Sequence, residues 1–224
     1  MTSNVAVLRP EPGNAATAAR VEALGLETIR LPLFAVQPLD WHVPDPAHHD
    51  ALILTSANAI HFGGPGLAGL RHLPVIAVGP KTAEIARKMG FDVMMTGDGD
   101  AASLLSLARE HGIARALHLA GRHRSIQADG PVSRTIAVYT SEAVPISAEQ
   151  LLTLQGSIAL LHSTRAAQRL GELVDLHALP RAAIGIAALS PAVAAAAGPC
   201  WATIAIAPAP ADSALIAVLQ RTRD

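Results

Sequence analysis

The chain has 224 residues, a net charge of −1 and 16% charged residues, and half of it is hydrophobic. That length makes one large domain or two small ones with ample core, and a near-neutral charge with no extended basic patch argues against a nucleic-acid partner. The most basic feature, Arg122-His123-Arg124, is brief. A single cysteine, Cys200, forbids an internal disulfide framework and suits a reducing compartment. Between Pro199 and Trp201 it reads as a small buried apolar residue. No signal peptide is read at the N-terminus, and no run approaches the ~18 apolar residues of a membrane span. The expected location is the cytoplasm, without a membrane partner.

Short apolar runs alternate with helical patterns. Residues 5–8 read as a buried strand; Asn14 reads as the cap of a helix over 15–24 that Gly25 stops, and 27–33 as the next strand. This strand–helix–strand order implies a parallel sheet with crossover helices. Residues 34–46, with three prolines, read as an extended linker. A middle block then gives strands at 51–55, 74–78, 91–95 and 116–119, with helices over 57–62, 82–89 and 101–111. A second extended linker is expected at 137–145. Beyond it come strands at 157–161, 183–188 and 203–207, with helices over 164–173, 191–197 and 212–221.

The two halves match each other. Ser56 lines up with Ser163 at an offset of 107, and Thr82 with Ser190 at an offset of 108. A repeat whose period is a whole domain implies duplication. Residues 117–122 and 5–9 are both apolar strands ending at an arginine. The expected fold is therefore α/β: two related parallel-sheet, flavodoxin-like domains joined by a two-stranded extended linker. One domain is discontinuous, 1–36 with 145–224, and the other, 37–144, is inserted into it. Ligands of parallel sheets gather at the carboxyl ends of strands and at domain interfaces.

The residues at those strand ends are informative. Arg9-Pro10, Thr55-Ser56-Ala57-Asn58, Gly79-Pro80-Lys81-Thr82, Ser163-Thr164-Arg165 and Ser190-Pro191 each stand where a strand gives way to a helix. Singly, such hydroxyls are helix caps. Their recurrence on one edge points to an anion-binding mouth built from helix-start N–H groups. The P-loop pattern is incomplete at Lys81-Thr82, and no G-x-G-x-x-G follows the first strand, so nucleotide chemistry is rejected. His48-His49-Asp50 and the pair His118 and His123 lack the spacing of metal ligands, so no metal is expected. Tyr139, the one tyrosine, has two readings: a proton donor and an aromatic hinge anchor.

Taken together, Arg9-Pro10, residues 54–60, residues 78–83, residues 117–121, Val138-Tyr139, residues 161–165, Leu189-Ser190-Pro191 and residues 210–219 resemble the uroporphyrinogen-III synthase family across nearly the whole chain. The resemblance implies two α/β domains with the site in the cleft between them, no cofactor, and hydroxymethylbilane as a small-molecule substrate. It implies loss of water and ring closure, with the last pyrrole inverted through a spiro intermediate, by a chain expected to be monomeric. It further implies Tyr139 and Thr82 as catalytic residues, and Arg9, Thr55, Ser56, Asn58, Gly79, Ser163 and Ser190 as substrate contacts. Leu8 and the glycine-rich 63–66 depart from the family pattern. The alternative is a non-catalytic two-domain small-anion binder or sensor.

Overall fold

The structure, a computed structural model, describes residues 4–98, 101–123 and 130–221; Arg124 of the basic cluster lies outside them. In chain order the elements are β1 (Val5–Val7), α1 (Gly13–Glu22), β2 (Thr28–Arg30), β3 (Phe34–Pro38), β4 (Ala51–Leu54) and α2 (Asn58–Phe62). Next come β5 (Val75–Ala77), α3 (Pro80–Lys88), β6 (Val93–Thr96), α4 (Ala101–Glu110), β7 (Ala116–Gly121) and β8 (Val132–Ala143). The remainder is α5 (Ala148–Leu152), β9 (Ile158–Leu161), α6 (Thr164–Leu176), β10 (Gly185–Ala188), α7 (Pro191–Ala197), β11 (Ile204–Ile206) and α8 (Asp212–Arg221).

The chain divides into two compact units, one made of Met1–Ala35 with Glu142–Asp224 and the other of Val36–Ser141. The first holds a sheet in the order β11-β10-β9-β1-β2, parallel throughout. Numbered within the unit, that is the 2-1-3-4-5 order of flavodoxin-like folds. The central strands are buried on both faces, so they read as unbroken apolar runs. Alternation sends Ala6 and Leu8 of the first strand segment toward α6 and α7, and Val5 and Val7 toward α1 and α8.

The second unit's sheet runs β3-β8-β7-β4-β5-β6. From β8 to β6 its strands are parallel, and numbered from β4 they run 5-4-1-2-3: the arrangement of the first sheet, with β7-β8 at the end of the unit taking the places that β1-β2 hold at the start of the chain. One face carries α2, the 3₁₀ turn Pro65–Leu70 and α3; the other carries α4. Leu39 N–H donates to Val138 O and Val144 N–H to Leu33 O, both at 3.0 Å, so β3 runs antiparallel to β8.

The two extended segments carry paired strands, as a two-stranded linker requires: β3 occupies the start of the first, and β8 is a 12-residue strand reaching into the second. Other expectations are corrected. Asn14 does not cap α1, which begins at Gly13 after a cis Glu11-Pro12 bond. Its fully buried amide instead donates to Val7 O at 2.7 Å and Arg9 O at 3.0 Å, and accepts from Arg30 Nε at 2.8 Å, tying the end of β1 to β2. Cys200 is exposed with φ +72°; Trp201, 7% exposed, takes the buried place. The helix α5 was not expected at all, although Ser147 and Gln150 form a complete capping box at its start.

Candidate active site

In a doubly wound sheet the ligand site lies where the strand order reverses, because the helices leaving the two strands go to opposite faces and open a crevice. In the first unit that point lies between β1 and β9. Arg9 follows β1; His162 and Ser163 follow β9. Leu161 faces α6, so by alternation the next side chain, His162, faces α8. There its Nε2 donates to Asp212 Oδ1 at 2.7 Å.

Asp212, the first residue of α8, collects four donors. Oδ1 accepts from His162, from Thr17 Oγ1 at 2.9 Å and from Arg9 Nη1 at 3.4 Å, while Oδ2 accepts from Arg20. Burial pushes the Asp212 carboxyl up, but hydrogen bonds from His162, Thr17 and Arg20 outweigh it and hold the group well below the ordinary carboxylate range. With Nε2 donating, the buried Nδ1 of His162 has no hydrogen-bond partner among the described residues. Ser163 and Ser190 start α6 and α7, and their hydroxyls accept from Ala166 N–H at 3.2 Å and Val193 N–H at 3.4 Å.

In the second unit the reversal falls between β7 and β4. Thr55, after β4, meets the fully buried His118 of β7 across it, Oγ1 to Nε2 at 3.1 Å. Ser56 Oγ accepts from Asn58 N–H at 3.2 Å, closing a tight turn into α2. Gly79 is the extended residue before α3, with Pro80 at the first helical position and Thr82, 6% exposed, in the first turn. Tyr139 pairs with Gly121 in the β7–β8 ladder. A Cβ on Gly121 would lie 2.8 Å from the Tyr139 ring carbons, so glycine is what lets the phenol lie over the end of β7. The ring also stands 6.4 Å, centroid to centroid, from Phe62 at the end of α2. A cavity of about 260 Å³, lined by Trp41, Phe62 and the glycine-rich 63–66, adjoins Phe62.

Each sequence-identified residue therefore stands at the carboxyl edge of its own sheet: Arg9, Ser163 and Ser190 in the first unit, and Thr55, Ser56, Asn58, Gly79, Thr82 and Tyr139 in the second. Sequence reasoning missed Thr17, Arg20, His162 and Asp212 around Arg9, and His118 behind Thr55. The first group is drawn from α1, the end of β9 and the start of α8 and has no local signature; Thr17 and Asp212 differ by 195 in sequence, and His162 and Asp212 by 50. Among the described residues no group of three His, Cys, Asp or Glu could hold a metal ion.

No curated protein matches the chain. Among solved structures it is similar to uroporphyrinogen-III synthetase from Helicobacter pylori, at a TM-score of 0.67 and 16% identity over 99% of this chain and 100% of that one. It is also similar to a mutant uroporphyrinogen III synthase from the extremely thermophilic bacterium Thermus thermophilus, at a TM-score of 0.57 and 18% identity over 99% of this chain and 98% of that one. At these identities the two structures share the fold: an α/β protein with two mostly parallel sheets, one built from N- and C-terminal parts. A family model described as uroporphyrinogen-III synthase HemD matches residues 15–217. The chain belongs to the uroporphyrinogen-III synthase HemD family.

Proposed function

We propose that this chain cyclises hydroxymethylbilane to uroporphyrinogen III, losing water and inverting the last pyrrole ring. The observation that carries the reading is the family match over residues 15–217. The chemistry of the strand ends supports it. The substrate bears acetate and propionate groups on every ring, and a neutral chain can bind them with backbone N–H groups at helix starts, hydroxyls and Arg9.

The reaction asks little acid–base strength of the protein. A pyrrole nitrogen lone pair expels the hydroxyl, leaving an electrophilic azafulvene that the far ring attacks. In this reading Tyr139 Oη donates its proton to the departing hydroxyl, which leaves as water, and Thr82 supplies a hydroxyl beside the reacting end. Thr55, Ser56, Asn58, Gly79, Ser163 and Ser190 hold the carboxylate arms. The main task is to hold the chain so that inverted closure outruns direct closure, which is catalysis by orientation. The enzyme is further taken to act as a cytoplasmic monomer without metal or organic cofactor; no helix among the described residues is long and apolar enough to cross a membrane.

The test is to supply hydroxymethylbilane and separate the product isomers. Formation of the type III isomer faster than the spontaneous type I isomer is expected, and type I alone would return the chain to the anion-binder reading. Tyr139→Phe is expected to lower kcat about a hundredfold, the low end of what a positioned general acid contributes. Unchanged turnover would remove Tyr139 from that role.

A further inference from the structure

Arg9 is held in an unusual way for an arginine at a packed position. Among the described residues only Nη1 is engaged, donating to Thr17 Oγ1 at 3.3 Å and Asp212 Oδ1 at 3.4 Å. Thr17 Oγ1 in turn donates to the same Asp212 oxygen at 2.9 Å, so acid and hydroxyl together fix one corner of the guanidinium. Nε and Nη2 of Arg9 have no protein partner among the described residues. Two arginines of the same unit serve as a contrast. Arg169 donates Nε to Leu33 O at 3.1 Å and Nη2 to Val144 O at 2.5 Å. Arg181 engages Nε, Nη1 and Nη2 with Asp175, Ala197 O and Pro199 O. Those two spend their donors on the fold; Arg9 keeps a pair in reserve.

The pair it keeps is the useful one. The Nε–Nη2 edge presents two parallel N–H groups that match the two oxygens of a carboxylate. Gly13 makes room for this pose, since a Cβ there would stand 2.7 Å from Arg9 Cζ and 2.8 Å from Nη2. The side chain is 27% exposed, open to solvent at the reversal point of the sheet. Asp212 neutralises only part of the local charge, because Arg9 and Arg20 both pair with it.

Resting on the function proposed above, we propose that Asp212 and Thr17 are positioning residues that present Arg9 as a two-pronged receptor for one carboxylate arm of the substrate. They act through Arg9, by fixing the direction of its open edge. The anion pairs with Arg9 in both ground and transition state, so the contact governs binding more than turnover.

Steady-state kinetics of type III formation by full-length variants test this. Asp212→Asn is expected to raise KM about tenfold while kcat stays within about twofold, as for loss of one oriented charge-assisted contact. Arg9→Lys is expected to raise KM at least as much, and adding Asp212→Asn to it should cost nothing more, because the effects run through one group. Gly13→Ala carries the test should Asp212→Asn fail to fold. Alanine favours the helix, so this variant is expected to keep or raise Tm while still raising KM. Multiplicative effects in the double variant, or an unchanged KM in Asp212→Asn or Gly13→Ala, would overturn the positioning role while leaving the function standing. Wild-type protein that yields only the type I isomer overturns both.

Discussion

One carboxylate at position 212 satisfies an imidazole, a hydroxyl and two guanidinium groups, and the linkage of that arrangement to pH has a definite sign. Burial raises the carboxyl's affinity for a proton; the hydrogen bonds from His162, Thr17 and Arg20 lower it by more. The folded chain therefore binds this proton less readily than the unfolded chain. The stability gained is complete above the ordinary aspartate pKa of about 3.9 and is lost as pH falls toward the lower native value. Asp212→Asn is expected to cost about 1–2 kcal/mol at pH 7, with the gap from wild type shrinking below about pH 4. Urea unfolding at pH 7 and at pH 3 measures both. At Gly121 the constraint is steric. Alanine there would press on the Tyr139 ring from 2.8 Å, so Gly121→Ala is expected to lose about 1–3 kcal/mol by overpacking, read from thermal melts, and to lower turnover with it.

The helices that begin at the strand ends raise the question of what their serines do locally. Ser163 and Ser190 accept N–H groups of the first turns of α6 and α7, so each has a capping role whatever it does for a ligand. Ser163→Ala is expected to cost about 1 kcal/mol in chemical denaturation, and Ser163→Asn only a few tenths, since asparagine caps equally well. A rise in KM for Ser163→Asn with stability intact would separate ligand contact from capping. Element boundaries were legible where punctuation is strong: α7 lies between Ser190-Pro191 and Gly198, and α8 starts at Asp212, as the sequence implies. They were not legible where local and tertiary signals diverge. The polar, alternating residues of β8 resemble a linker until β7 pairs with them. The five residues of α5 are too few to show helical periodicity, so its capping box passed unread. Of the site, the edge residues could be read because hydroxyls at strand ends form a local pattern. Asp212 with His162, and His118 with Thr55, could not, because only the assembled sheet brings them together.

At the scale of the whole molecule, the offsets of 107 and 108 in sequence have a structural counterpart: β4-β5-β6 and β9-β10-β11 hold matching places in their five-stranded parallel arrays, with β7-β8 in one standing where β1-β2 stand in the other. Each unit also has its own apolar clusters on both faces of its sheet. The clusters of the second draw only on residues between 36 and 141. Residues 36–141 alone are therefore expected to fold cooperatively, shown by a single circular-dichroism melt, because among the described residues both clusters lie wholly within that span. The first unit has no such independence at its N-terminus. β1 lies between β2 and β9, and Arg9 is held by a residue from the last helix. Cys200 bears on how the folding of the chain could be followed. It is the molecule's one thiol, and it stands in solvent on a left-handed turn. A maleimide dye would thus attach at a single defined point on the larger unit, giving a homogeneous fluorescent conjugate without any cysteine having to be engineered in or out.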